Sequence, residues 1–257
     1  MGTTYIDVVN DLLTESNEVE LTNSNFGSAV GIQKFVKNVV NRAYMDICAY
    51  KKAWPFLAAT NSNDNDPFAG NMSIETVEGQ RWYLLKTGST GVSTDFGKVD
   101  WQSFFATTEG ATGASAPYEY QTLKFISFDD WFKFRSSDEL WDAGSTDPQY
   151  GTPRFIIQSK DGRYLGISPL PDKAYKIYFN AWVQPTKLSA YNDTVLIPDK
   201  YIPVLLDKAR YYMHQFKENE IQANLARADY KNGLNKMSLD LIGEEVKSFT
   251  DDRVRYT

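Results

Sequence analysis

The spacing of apolar residues changes twice along this chain, from helical near the start to strand-like in the middle and back to helical. Residues 4 to 14 predict a short helix, with Ile6, Val9, Leu12 and Leu13 on one face and Thr3 or Thr4 as its cap. A polar loop from Thr14 to Ser28 follows. From about Val30 to Lys51 a continuous apolar stripe of Ile32, Phe35, Val36, Val39, Ala43 and Ile47 predicts a longer helix, with Lys34, Lys37 and Arg42 mostly off the stripe. Pro55, in Trp54-Pro55-Phe56-Leu57, ends it, because proline disfavours helical geometry in the residue before it.

Residues 58 to 70 form a polar linker, and from Met72 to Gln184 the pattern becomes short Val-, Ile-, Thr- and aromatic-rich runs between Gly, Pro, Asp and Ser. Strands are expected at Met72 to Val77, Gln80 to Lys86, Glu119 to Ile126, Arg154 to Gln158, Tyr164 to Ser168 and Tyr175 to Val183. Asp161-Gly162 between two of them marks a tight hairpin turn. Asp129 to Trp141 predicts a short helix or crossing segment, and the Gly/Ser/Thr/Ala-rich residues 87 to 117 a long mobile loop or β-tongue. Helical spacing returns after Ile197-Pro198-Asp199-Lys200, where Asp199 can cap a helix carrying Ile202, Leu205, Leu206, Ala209, Met213 and Phe216. A second helix, from about Glu220 to Leu241, carries Ile221, Leu225, Ala228, Met237 and Leu241, and Gly243 can close it.

Each helix has an apolar face that it must cover, and both helix pairs lie outside the β region. The expected solution is an α+β protein. Residues 1–60 and 197–243 make one discontinuous helical bundle, residues 70–190 an inserted antiparallel β-sandwich or barrel-like lobe, and 244–257 a charged tail.

Composition narrows the function. The 257 residues include one His, one Cys, six Trp and sixteen Tyr, and the net charge is −6. An acidic surface repels phosphates at long range, which argues against a sequence-reading nucleic-acid binder but not against a protein that surrounds nucleic acid. One cysteine excludes an internal disulfide. The start of the chain lacks a signal-peptide pattern, and no apolar run approaches a membrane span, so a soluble protein made in a cytoplasm is expected.

Catalytic groups are scarce. No phosphate-cradling glycine motif is present, and a single His and Cys cannot build a nitrogen–sulfur zinc site. Asn61, Asn63 and Asn65 share the spacing of a calcium loop, but Asp66 stands where the sharp-turn glycine belongs and Met72 where the closing Glu belongs. His214 has no nucleophile paired with it in a motif, and Cys48 reads as a buried inert thiol. Asp129-Asp130-Trp131 offers acids beside an aromatic, as a glycosidase needs, yet adjacent side chains diverge, and helix capping with a buried Trp is the simpler reading. Asn41, on a mostly apolar helix, is expected to hydrogen-bond a neighbouring helix or the loop before Pro55. No catalytic residue, cofactor site or metal site is assigned, and the chain is not expected to be an enzyme. Trp101, Phe104 and Phe105 suit a subunit interface.

Several segments together resemble one family. Thr4-Tyr5-Ile6-Asp7-Val8-Val9-Asn10-Asp11-Leu12-Leu13 is similar to the opening helix of the head-to-tail adaptor (tail tubular protein A) of short-tailed phages. So are Val36-x-x-Val39-Val40-Asn41-Arg42-Ala43-Tyr44 with Trp54-Pro55-Phe56-Leu57, and Gly151-Thr152-Pro153-Arg154. The resemblance continues through Leu165 to Asp172 with Tyr175, Leu188-Ser189 with Asp193, Ile197 to Tyr201, and the helix carrying Ala209 and Tyr212 with Glu218-Asn219 after it. It implies a non-enzymatic virion protein assembled in the host cytoplasm, forming a dodecameric ring below the portal, with helices toward the portal and the β region toward the tail nozzle. Genomic DNA would pass through the lumen without sequence-specific binding. In that setting Trp101, Phe104 and Phe105 would meet a neighbouring subunit, and Phe249, Arg253, Arg255 and Tyr256 would anchor the tail on a neighbour or the portal. The competing expectation is a carbohydrate-binding or glycan-hydrolysing tail module, and a more distant one a host cytoplasmic scaffold.

Overall fold

The computed structural model describes residues 2–51, 53–59, 72–85, 96–107, 120–136 and 150–242. The elements run α1 (Tyr5–Glu15), α2 (Gly31–Tyr50), β1 (Met72–Glu75), β2 (Trp82–Leu84), β3 (Phe96–Val99), β4 (Phe105–Thr107), β5 (Tyr120–Thr122) and β6 (Lys124–Ile126). They continue with α3 (Phe128–Ser136), β7 (Phe155–Gln158), β8 (Tyr164–Ser168), β9 (Lys176–Phe179), β10 (Ala181–Val183), α4 (Ile202–Phe216) and α5 (Glu220–Ile242). Helices at both ends with mostly antiparallel sheets between them make an α+β protein, as expected. The chain divides into two compact units, Met1–Leu57 with the chain from Pro185 on, and Ala58–Gln184.

In the helical unit the first helix is finished by the far end of the sequence. A helix leaves its first N–H groups without internal partners. Here Tyr5 N–H donates to the Asp193 carbonyl at 2.8 Å and Ile6 N–H to the Tyr191 carbonyl at 3.1 Å. The Asp7 carboxylate accepts the Thr4 N–H at 2.9 Å, so the start of α1 is fully engaged. Tyr5, Val8, Val9, Leu12 and Leu13 of α1 are buried, as are Val36, Val40, Ala43, Tyr44, Ile47 and Cys48 of α2. α4 packs against α1, α2 and α5. Trp54, wholly buried, donates its indole N–H to the Ile47 carbonyl at 2.9 Å and so pairs an acceptor in the last turn of α2.

Asp199 does not cap α4. A short 3₁₀ turn, Asp199–Tyr201, precedes the helix, Tyr201 holds the cap position, and proline stands in the first helical turn, where its missing N–H costs nothing. The Asp199 carboxylate instead accepts the N–H of Thr3 at 3.0 Å and its hydroxyl at 2.7 Å. Those two bonds hold its pKa below the ordinary carboxylate value. Gly243, the expected closing residue of α5, lies outside the described residues.

The β unit holds a four-stranded sheet ordered β1-β9-β4-β5, a second ordered β2-β8-β7-β6, and a two-stranded β10-β3 pair. Met72, Phe104, Ala106, Ile177 and Phe179 share one buried cluster with Tyr83, Leu85, Ile156, Leu165 and Ile167. Among the described strands every ladder is antiparallel except β6 with β7, which is parallel. Two runs expected as single strands are broken. Residues 119–126 divide at Leu123, which is buried and donates its N–H to the Phe104 carbonyl at 2.9 Å, so that β5 and β6 join different sheets. Residues 175–183 divide at Asn180, whose N–H turns to the Ser103 hydroxyl at 2.9 Å, sending β10 to pair with β3.

Of the two readings of residues 87–117, the continuous loop fails, because β3 and β4 lie within them; 86–95 and 108–119 fall outside the described residues. Glycine hid β3: a Cβ at Gly97 would lie 3.3 Å from the Val183 carbonyl oxygen, so the close approach of β10 requires the residue that weakens the strand pattern. The expected hairpin turn is present, with Gly162 at φ +72°. The chain enters and leaves this unit side by side, since Ala58 bridges Trp182 and the Ala59 N–H meets the Ala181 carbonyl at 2.8 Å. A unit whose two ends adjoin can be inserted into another without stretching it.

Candidate functional site

The groups capable of chemistry are mostly held in structural contacts. Cys48 is buried beside Tyr44, and burial pushes its thiol up to about 12, far from the thiolate a nucleophile needs. His214, on α4, lines an open hollow of about 570 Å³ at the α4–α5 turn with Glu218, Asn219, Asn224 and Arg227. Its buried Nδ1 has no hydrogen-bond partner. No Ser, Thr or Cys is among the residues lining the hollow.

The Asp129-Asp130-Trp131 group starts α3. The Asp130 N–H donates to the Ser127 hydroxyl at 3.1 Å, and that hydroxyl donates back to the Asp130 carboxylate at 2.7 Å. Trp131 is buried edge-on against Trp82, with ring centroids 5.9 Å apart. The group therefore builds a helix start and a packing contact. Among the described residues no group of three His, Cys, Asp or Glu side chains is placed to hold a metal ion. The Asn61, Asn63, Asn65 loop lies outside them.

Asn41 joins two distant segments. Its amide nitrogen donates to the Tyr5 hydroxyl and to the Leu188 carbonyl, both at 2.8 Å, and its amide oxygen accepts the Leu188 N–H at 2.8 Å. The expected bond to a neighbouring helix is made. The loop partner is Leu188 rather than the stretch before Pro55, because the returning chain runs along α1 and α2. No local signal marks a partner 147 residues away.

The interface candidates separate on inspection. Phe104 is fully buried, stacked on Phe179 with centroids 4.8 Å apart, and so serves the core of its own unit. Trp101 is half-buried and stacks on Phe104 at 5.5 Å. Phe105, also half-buried, stacks on Tyr178 at 5.2 Å. Phe125, not picked out by sequence, is 42% exposed and lies 5.7 Å from the Trp101 ring, so these two form an accessible aromatic pair. A strand alternating through Leu123 and Phe125 gives both the same burial, and only the break at Leu123 separates them. Phe249, Arg253, Arg255 and Tyr256 lie outside the described residues.

The polar groups described above serve capping, packing and the joining of distant segments. The profile of the SU10 adaptor protein family matches residues 3–254, and the chain belongs to that family of structural, non-enzymatic phage adaptors. No curated protein matches the chain. No helix among the described residues is long and apolar enough to cross a membrane.

Proposed function

We propose that this adaptor forms a dodecameric ring between the portal and the tail nozzle of a short-tailed phage particle and lines the channel through which DNA leaves. The observation that carries the reading is the family match over residues 3–254, which spans both the helical unit and the β unit. The net charge of −6 supports it, since a channel wall that grips phosphate with cations would add a salt-dependent hold on passing DNA. In this reading the helices face the portal and the β unit the nozzle. Trp101 with Phe125, and Phe105, meet adjacent copies, while Phe249, Arg253, Arg255 and Tyr256 anchor the tail on a neighbour or the portal.

Electron microscopy of the protein mixed with portal tests this directly. A ring at the portal, with one copy of the chain per portal-matched position, is the expected result. Free protein beside bare portals overturns it. The sugar-module reading finds little support, because Asp130 and Trp131 are taken up by the helix start and the Trp82 contact.

A further inference from the structure

Helix α5 carries apolar residues on two opposite sides, the outer one interrupted by exposed Asn232. At about 100° per residue, the buried Ala223, Ala226, Tyr230, Leu234 and Met237 cluster within about 40° of one direction. Ile221, Leu225, Ala228 and Leu239 cluster within about 40° of the reverse direction and are exposed, with Ile221 75% accessible. The first face packs on α4: a Cβ at Gly233 would come within 2.9 Å of Val204. The second has no cover within the described residues. A surface helix needs one apolar stripe; a second one marks an interface.

Charge says what covers it. Exposed Lys231 and Lys236 flank the outer stripe. Of the acids on α5, Asp240 is held by Lys200 and Tyr201 and Glu220 sits at the helix start, leaving exposed Asp229, whose charge repels that of Asp207 on α4, beside the two lysines. The same unit carries a complementary surface elsewhere. Val19 is 77% and Val30 74% exposed, and the side chain of Gln33, three residues after Val30, donates to the Val19 carbonyl at 2.9 Å. Exposed Glu18 and Glu20 flank Val19, and Asp7 and Asp11 extend the acidic field, Glu15 being paired with Arg210. Two different, complementary patches on one chain join copies head to tail, the arrangement that closes into rings.

We infer that the outer face of α5, centred on Ile221 and Leu225, docks on the Val19/Val30 surface of a second copy of this chain, without help from another protein. This names the self-contact within the ring reading and rests on it for biological purpose only.

The test uses the purified full-length protein. Sedimentation is expected to show concentration-dependent association, weakened at least tenfold in Leu225→Glu and retained in Leu225→Met, with unchanged circular dichroism in both. Glu18→Lys with Glu20→Lys should weaken it, and Lys231→Glu with Lys236→Glu added should restore it. Mild oxidation of mixed Val19→Cys and Leu225→Cys proteins should give a cross-linked pair, the native thiol being buried. A monomer at every concentration overturns the inference, as does Leu225→Cys linking only to itself. If the lone protein is monomeric yet rings form with portal, this contact fails and the adaptor reading stands. If Val19 and Leu225 cross-link but portals stay bare, the contact stands and that reading fails.

Discussion

The two units hold themselves together by different means. The helical unit is assembled from segments separated by the whole length of the β unit, and its specificity comes from polar pins between them: Asn41 to Leu188, Thr3 to Asp199, and the bidentate pairing of Arg210 with Glu15. The β unit closes on itself through stacked rings, Trp101 on Phe104 on Phe179, with Trp82 lying over Gly166. Apolar burial supplies the drive in both, but it is not directional, so helices from opposite ends of a chain need hydrogen bonds to fix their register. Sheets obtain register from their own ladders. A single structure thus shows one unit specified by polar pins between distant segments and the other by strand ladders and stacked rings.

The comparison breaks most visibly at Trp54, the only tryptophan of the helical unit; the other five lie between residues 58 and 184. Trp54→Ala removes a buried indole and leaves the Ile47 carbonyl unpaired, and the expected loss is about 3–5 kcal/mol, confined to the helical unit. Denaturant melts followed by circular dichroism for the helices and by tryptophan fluorescence for the β unit would separate the two; equal losses in both would refute the division.

Gly166→Ala is the reciprocal test. An added Cβ would sit 2.5 Å from the Trp82 ring, and the expected cost is about 1–3 kcal/mol, seen in fluorescence and absent from the helical signal. Asn41→Ala should cost about 2 kcal/mol by leaving both backbone groups of Leu188 without their partner. A double-mutant cycle with Tyr5→Phe would show coupling, because both groups share one bond.

The smallest effect concerns Asp11. Partial burial, followed by Asp7, Glu15 and Glu20, raises its pKa above 3.8, so its charged form opposes folding. A raised carboxyl favours the fold while protonated and loses that advantage as pH rises through the folded pKa. Asp11→Asn should therefore stabilise the helical unit by a few tenths of a kcal/mol at neutral pH, the group being largely exposed. The gain should vanish below pH 3.8. A gain that persists in acid would assign the effect to something other than charge.

Helix periodicity, the Pro55 stop and the Asp161-Gly162 turn were legible because each depends on residues within a few positions of one another. The division of 119–126 at Leu123 and of 175–183 at Asn180 was not, since a continuous β-pattern reads the same whether one sheet or two receive it. Phe104 illustrates the limit at the candidate surface: an aromatic in a Gly/Ser-rich stretch looks available until Phe179 is placed over it.

The amino-acid order by itself determined the helical ends, the β-rich centre, the acidity and the poverty of catalytic groups, all of which follow from residue type and short spacing. Only the tertiary structure decided that Asp199 ties Thr3 instead of capping α4, that Asn41 reads Leu188, and that one side of α5 is covered while the other is bare among the described residues. Those outcomes depend on which distant segments meet, and apolar burial, being indifferent to partner, leaves that choice to shape and polar pairing in three dimensions.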